Sequence, residues 1–301
     1  MVTTPPLVTI IIPTYNWSSV LPYSVGSALR QTFPDFEVLV IGDGCTDDSE
    51  SVVRAVGDER VRWINLPANT GHQSGPNNEG LRQARGELIA YLGHDDLWLP
   101  HHLSCLVAAL DAGADLAFGI TEVIGPGESY RVAAPFKLKY TPGDWIPPTG
   151  VAHRRRVTER VGGWRDYRGL TVDPEVDLWQ RAYDGGYKFA FVPRLTAIKF
   201  SASERPGIYK ETPHDEQAEW FERIQGDHGL EATELVGLLA LEKEARAWTE
   251  TPSPQLLRNF LSEMAARVGR KLRGAVSPAR QPGKGEGVAA RRLRKGLPPQ
   301  S

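Results

Sequence analysis

Leu7-Val8-Thr9-Ile10-Ile11-Ile12-Pro13-Thr14-Tyr15-Asn16 is the stretch on which the reading of this chain turns. Leu7 to Ile12 is short, continuously apolar and rich in β-branched residues. Such a run suits a parallel strand buried on both faces, and Pro13 ends it. Working outward, Leu21, Val25, Ala28 and Leu29 recur at helical spacing. Phe36 to Ile41 reads as a second strand, with Gly42-Asp43-Gly44 as the turn after it. Asp47 to Val56 reads as a helix, Val61 to Leu66 as a third strand, and Pro76 to Arg85 as a helix capped by Ser74. Leu88 to Leu92 is a fourth strand that runs straight into Gly93-His94-Asp95-Asp96. His101 to Leu110 then reads as a helix and Asp115 to Gly119 as a fifth strand. This alternation implies right-handed βαβ units and a doubly wound, mostly parallel α/β sheet. In such sheets ligands bind at the carboxyl ends of the strands. Thr14-Tyr15-Asn16, Asp43 and Asp95-Asp96 follow the first, second and fourth strands, where that rule wants polar groups.

The second half is less regular. Thr121 to Ile146 is rich in Gly and Pro. Arg154 to Val161, Glu175 to Tyr183, Asp215 to Gln225 and Ala232 to Trp248 carry helical patterns, and Phe189 to Val192 and Leu195 to Phe200 look like two late strands. From Pro254 onward eleven Lys or Arg face only Glu263 and Glu286. Leu257, Phe260, Leu261, Met264, Val268 and Leu272 fall on one helical face there, ringed by Arg258, Arg267, Arg270, Lys271 and Arg273. Two readings follow: a basic surface helix drawn to anionic lipid, or a helix packed on the body. Beyond Ser277 the composition suggests disorder.

The 301 residues suffice for a buried core, and 41% hydrophobic with 24% charged residues is ordinary globular composition. A net charge of −2 argues against a protein that coats nucleic acid, and no nucleic-acid partner is expected. Cys45 and Cys105 alone cannot build a disulfide framework or a cysteine-rich zinc site, and they fit a reducing cytoplasm. Met1 to Pro6 lacks the charged and apolar regions of a signal peptide. No run approaches the roughly 18 apolar residues of a membrane span.

Two adjacent carboxylates directly after a buried strand repel each other unless a cation lies between them and an anionic ligand. Asp95-Asp96 therefore suggests Mg²⁺ or Mn²⁺ on a diphosphate, held through hard oxygen ligands. The metal would act as a Lewis acid on the leaving group. The plain alternative is a capped helix start.

The linked motifs resemble family 2 glycosyltransferases with the GT-A fold, which bind nucleotide-sugars. Val8 to Asn16 is similar to that family's opening strand and Pro-x-Tyr-Asn turn, and Ile41 to Ser49 to its Asp-Asp-Gly-Ser-x-Asp motif. Asn69-x-Gly71, Asn78-x-Gly80-Leu81 and Ala84-Arg85-Gly86-Glu87 resemble the next segment, and Tyr91 to Pro100 the metal-binding strand end. The match runs in order over about the first 110 residues. The resemblance implies an inverting hexosyl transfer from a UDP-, GDP- or TDP-sugar to a hydroxyl of a saccharide or lipid-linked acceptor, in polysaccharide or glycolipid biosynthesis. Pro13, Thr14, Tyr15, Asn16, Asp43, Asn78 and Asp95 would line the nucleotide. Asp96 would be the main metal ligand, helped by Asp95.

Gly162-Gly163-Trp164 and Asp173-Pro174-Glu175-Val176-Asp177-Leu178-Trp179 resemble the family's acceptor-side motifs. They imply Glu175 as catalytic base, with Asp173 as rival and Asp177 as a helix anchor. The alternative for Glu175 is an acid that merely favours a helix start. Lys199 could meet phosphate, and His214 could complete a metal shell or simply sit on the surface. His101 and His102 read as surface residues. His94 reads either as a phosphate or ribose donor or as a solvent-facing turn residue. Trp17, Trp98, Trp145 and Trp164 could stack on a sugar or base. Gly42, Gly93 and Asn77 depart from the family pattern, each removing a charged group. The expected organisation is residues 1–230 as the glycosyltransferase domain (1–120 for the nucleotide, 121–230 for the acceptor and base), a helical extension at 231–273, and a basic tail at 274–301. The expected setting is cytoplasmic, peripheral at the inner face of the membrane if the basic helix binds lipid. Two rival functions are a nucleotidyltransferase, whose glycine-rich phosphate loop is missing at Thr14 to Ser19, and a binding module without turnover.

Overall fold

The computed structural model describes residues 4–126, 131–134, 139–202, 205 and 207–250. The body opens with β1 (Val8–Thr14), α1 (Leu21–Leu29), β2 (Phe36–Gly42), α2 (Ser49–Ala55), β3 (Val61–Asn65), α3 (Ser74–Gln83) and β4 (Leu88–Tyr91). It continues through β5 (Leu97–Trp98), α4 (His102–Asp111), β6 (Leu116–Ile124), β7 (Arg131–Ala134), β8 (Val151–Arg154) and α5 (Arg155–Val161). Then follow α6 (Pro174–Asp184), β9 (Phe189–Phe200), α7 (Ile208–Glu211), α8 (Asp215–Gly226) and α9 (Leu230–Glu250). A second unit opens at Ala232, within α9. The expected basic helix and tail, from Pro254 onward, lie outside the described residues.

The strands form one sheet in the order β3-β2-β1-β4-β8-β6-β9-β5, with β7 beside β6. β1, β2, β3 and β4 run parallel. Every residue of β1 and β2 is buried, as their unbroken apolar runs require. Alternate side chains feed two cores. Val8, Ile10, Ile12, Val38 and Val40 pack with Leu21, Val25, Leu103 and Leu106 on one face. Ile11, Leu39, Ile41 and Ile89 pack with Trp164, Leu178 and Trp179 on the other.

Four details differ from the sequence expectation. Ser74 lies inside α3, not at its cap, and its hydroxyl meets His72 Nδ1 at 3.0 Å instead. The fifth expected strand does not neighbour the fourth, because β8 is inserted antiparallel between β4 and β6. The two late strands are one, since β9 stays paired with β6 across a bulge that leaves Pro193 and Arg194 unpaired and exposed. His102 is wholly buried, stacked on Trp98 at 4.1 Å between ring centroids. It lies on the same α4 face as Leu106 and Leu110, and burial lowers its imidazole pKa to about 3.

Glu37 is the polar rivet of the parallel half. It accepts from Thr9 Oγ1 at 2.8 Å, from the Arg85 backbone N–H at 2.9 Å and from Arg85 Nε at 2.8 Å. Burial works to raise its pKa, but the Arg85 and Thr9 hydrogen bonds hold it below the ordinary 4.5. Its contribution is therefore complete above that value and is lost as pH falls through the lowered one. Glu37→Ala should destabilise the fold by about 3 kcal/mol at neutral pH. In urea melts, the gap between wild type and variant should narrow in acid.

Candidate active site

The parallel register brings the carboxyl ends of β1, β2 and β4 to one rim. The Asp43 N–H donates to Thr14 O at 2.8 Å, and Thr14 Oγ1 lies 2.8 Å from His94 Nδ1. Asn16 adopts a left-handed backbone (φ 43°), which Asn tolerates better than most residues. Its Oδ1 accepts from the Thr46 N–H at 2.8 Å, joining the turns after β1 and β2. Pro13 is buried and Tyr15 is half-buried beside it.

Asp43 is 4% exposed. Its Oδ1 accepts from the Thr70 N–H and Oγ1, both at 2.8 Å, and its Oδ2 from the Gly71 N–H at 3.2 Å. Much of its acceptor capacity thus holds the Thr70–Gly71 loop. Asn78, expected at the nucleotide, also pairs both ends of its amide with Trp164: Nδ2 donates to the carbonyl at 2.8 Å and Oδ1 accepts from the N–H at 2.9 Å. It therefore joins α3 to the Gly162-Gly163-Trp164 turn. A Cβ at Gly42 would meet Asn65 Oδ1 at 2.5 Å and the Trp63 ring at 2.8 Å. Side chains of β3 fill the space of the acid that the family pattern has there.

The turn after β4 holds the buried acids. Asp96, 1% exposed, accepts from the Phe200 N–H at 3.0 Å through Oδ1 and from Lys199 Nζ at 3.3 Å through Oδ2. Burial pushes the Asp96 carboxyl up, Lys199 pulls it down, and Asp95 pushes it up again. Burial lowers the Lys199 ammonium, but Asp96, Asp95 and Glu175 hold it above its ordinary value. An isolated pair would pull the acid down as it raises the base; here burial and Asp95 win at the acid, and the ammonium is the firmer charge. A Cβ at Gly93 would stand 2.5 Å from Asp96 Oδ2, so the missing side chain is what leaves the carboxylate room.

His94 is buried, not solvent-facing. Its Nε2 lies 3.2 Å from Tyr209 OH, and Trp17 meets both rings edge-on at 5.3 Å. It therefore bridges the β1 end and α7. Asp95 is buried as well, and its carbonyl accepts from Gln217 Nε2 of α8 at 3.4 Å.

Glu175, in the first turn of α6, is partly exposed and accepts from Trp145 Nε1 at 3.0 Å. Burial raises its pKa and nearby Asp173 raises it further, against the Trp145 hydrogen bond and Lys199. Asp173 caps α6 by position without a side-chain cap bond. Asp177 anchors the helix through Arg165 at 3.2 Å and Arg181 at 2.8 Å. The structure thus gathers Asp95, Asp96, Lys199, Glu175 and Asp173 into one charged group.

His214 lies at the start of α8, stacked on Tyr23 at 6.1 Å. Among the described residues, no three His, Cys, Asp or Glu side chains form a group that could hold a metal ion. Ligand count alone does not decide, because Mg²⁺ is often bound through one or two carboxylates plus substrate phosphates. Asp96 accepts one hydrogen bond through each oxygen, from Lys199 and from Phe200, and each oxygen keeps a further lone pair. Asp95 and Asp96 would therefore be the residues to hold Mg²⁺ or Mn²⁺ against a substrate phosphate.

Residues 9–156 match the model of Glycosyl transferase family 2. The chain carries a family 2 glycosyltransferase domain. An uncharacterised glycosyltransferase of Nostoc sp. is 32% identical over 212 residues, covering 64% of this chain and 62% of the relative. A Campylobacter jejuni GalNAc(5)-diNAcBac-PP-undecaprenol beta-1,3-glucosyltransferase is 34% identical, over 38% of this chain and 38% of the relative. The Escherichia coli UDP-Glc:alpha-D-GlcNAc-diphosphoundecaprenol beta-1,3-glucosyltransferase WfgD is 30% identical, over 44% and 53%. The chain thus matches less than two thirds of the length of each of these relatives. Among solved structures, S. aureus TarS 1-349 in complex with UDP-GlcNAc superposes with a TM-score of 0.53 at 18% identity, over 68% of this chain and 64% of that one. That likeness confirms the GT-A type of α/β fold.

Sequence reading passed over Thr70 and Tyr209 and saw in Trp145 only a stacking ring. Asn69-x-Gly71 flanks Thr70 and was a usable signal; nothing local marked Tyr209. Asp43→Asn leaves one of its carboxylate acceptors as a donor facing the Thr70–Gly71 loop. It should cost about 1–3 kcal/mol of stability, read as a lower thermal midpoint without added nucleotide. An unchanged midpoint would show that the loop does not depend on this carboxylate.

Proposed function

We propose that the chain transfers one sugar, with inversion, from a nucleoside-diphosphate sugar to a hydroxyl of a lipid-linked saccharide. The carrying observation is Glu175: a half-buried carboxylate with a raised pKa, its Oε1 fixed by Trp145, in the same charged group as Lys199 and Asp96. A base with a raised pKa is a better proton acceptor than an ordinary exposed glutamate. In the proposed step the acceptor oxygen attacks the anomeric carbon from the face opposite the diphosphate. Its proton passes to the Glu175 carboxylate, the bond from anomeric carbon to diphosphate oxygen breaks, and the electron pair leaves with the diphosphate. Holding both reactants at one rim supplies the orientation.

The donor class is supported by the TarS complex with UDP-GlcNAc and by the UDP-Glc named for the E. coli relative. The acceptor class is supported by the undecaprenol-linked saccharides named for the C. jejuni and E. coli relatives. Among the described residues no helix is long and apolar enough to cross a membrane. A lipid-linked acceptor therefore suggests peripheral contact at the inner face, through the basic segment beyond Pro254. Flotation with anionic vesicles should be lost on deleting residues 254–301; equal flotation would end that part of the reading.

Glu175→Gln should cut turnover by about 10²–10⁴-fold while donor affinity is kept. Near-normal turnover would move the base role to Asp173. The acid limb of the kcat/KM profile should lie above the ordinary glutamate value of 4.5, because activity is lost as pH falls and Glu175 takes up a proton. Trp145→Phe removes a hydrogen bond that favours the charged form, so that limb should move to still higher pH.

A further inference from the structure

We propose that the apolar and basic segment 257–272, beyond the described residues, docks along the exposed face of α9 and pairs with it as a helical hairpin. This docking does not depend on the sugar-transfer reading, and it decides which side of the segment is free to meet a lipid surface.

α9 carries two unlike faces. Leu230, Glu234 and Leu238 recur every four residues and are buried. Val236 and Leu239 fall on the opposite side, where they are 67% and 63% exposed. Ala232 and Ala240 beside them are exposed as well. Among the described residues these two are the most open large apolar side chains, since the next, Tyr183, stands at 39%. An apolar stripe on a helix loses free energy in water until another surface covers it.

Three features of the chain select the occupant. The first is reach. Pro252 and Pro254 follow Glu250, where α9 ends, and proline both lacks the N–H a helix needs and disfavours helical backbone in the residue before it. Residues 251–256 are thus a short link of the kind that joins antiparallel helices. Residues 257–272 make about 24 Å of helix, enough to run back from Glu250 to the level of Val236. The second is pattern. Leu257, Phe260, Leu261, Met264, Val268 and Leu272 share one helical face, which a lone helix cannot bury. The third is charge. α9 carries Glu231, Glu234, Glu242, Glu244 and Glu250 against Lys243 and Arg246. The segment and its next residue carry Arg258, Arg267, Arg270, Lys271 and Arg273 against Glu263. An acidic helix repels both an anionic lipid surface and a second copy of itself, and it attracts the basic segment.

In the docked hairpin Arg267 and Lys271 flank the covered face, while Arg258, Arg270 and Arg273 fall on the outer side by helical spacing. Contact with anionic lipid then runs through the outer arginines. It is electrostatic and weakened by salt, without insertion of Phe260 and its apolar neighbours.

Hydrogen exchange followed by mass spectrometry on the full chain, in buffer without lipid, tests this. The amides of 257–272 should be protected, and equally so on dilution. Val236→Ser/Leu239→Ser should speed their exchange about tenfold or more while β1 and β2 stay as slow as in wild type. Met264→Ser/Val268→Ser, which leaves the described body untouched, should in turn speed exchange at 232–240. Three results would overturn the docking: open-chain exchange of 257–272 in wild type, protection that arises only with anionic vesicles, or protection that is lost on dilution together with a dimer seen by sedimentation. Either pair of serine substitutions leaving the facing segment as slow as in wild type would do the same. Sugar transfer and vesicle flotation are read separately, so their failure would not be confused with failure of the hairpin.

Discussion

A carboxylate sealed from water must find a compensating charge or hydrogen-bond donors, and Asp96 finds one cation and one backbone N–H on β9. Much of the site's geometry hangs on this. Tyr91 ends β4 near the middle of the sheet, and Leu97 begins β5 at its far edge, paired with Ile198. Four strand spacings separate them, roughly 19 Å if the sheet were flat. Five intervening residues could span that only when almost fully extended. They are not extended, since the Asp96 N–H closes a turn onto Gly93 O at 3.0 Å. The sheet must therefore curl, bringing the end of β9 against the turn after β4. The bonds from Asp96 to Lys199 and Phe200 are the side-chain expression of that closure. They place a basic residue of the second half beside the acids of the first.

The same closure explains what could be read from the chain and what could not. β1, β2 and β4 were legible because a strand buried on both faces must be apolar at consecutive positions, and that pattern is local. The placing of Thr14, Asp43 and Asp95-Asp96 at one rim followed from parallel pairing alone. β5 and β8 were not legible, being two and four residues long and defined by antiparallel partners far away in sequence. Pro193 made one strand look like two, because a proline cannot donate to a ladder and its accommodation in a bulge depends on β6. His102 was misplaced although its spacing to Leu106 and Leu110 was visible; a histidine on an apolar face was read by its polarity and not by its position.

At the site, residue types were easier to foresee than their partners. Glu175 was named through resemblance, and the structure adds a physical reason for its basicity in burial and Asp173, which outweigh the Trp145 hydrogen bond. Asn78 belongs to a recognised motif, and its amide also ties α3 to Trp164. Asp43 stands at the expected strand end but carries a loop as well as facing the rim. Such double use is what packing does to polar groups: a buried acceptor near a ligand site must still be satisfied when the ligand is gone. Thr70 and Gly71 meet that need for Asp43, as Lys199 and Phe200 do for Asp96.

The departures from the family pattern fit one electrostatic account. At Gly42 the lost acid is replaced by bulk, with Trp63 and Asn65 closing the gap, so neither charge nor cavity remains. At Gly93 the lost acid is replaced by space, and the neighbouring carboxylate moves into it toward an ammonium. Both changes make the rim less negative. A rim with fewer acids repels an anionic ligand less, and the charges that remain there matter more as the local dielectric falls: the interaction of two unit charges at 4 Å grows from about 1 kcal/mol in water to about 4 kcal/mol near a protein surface.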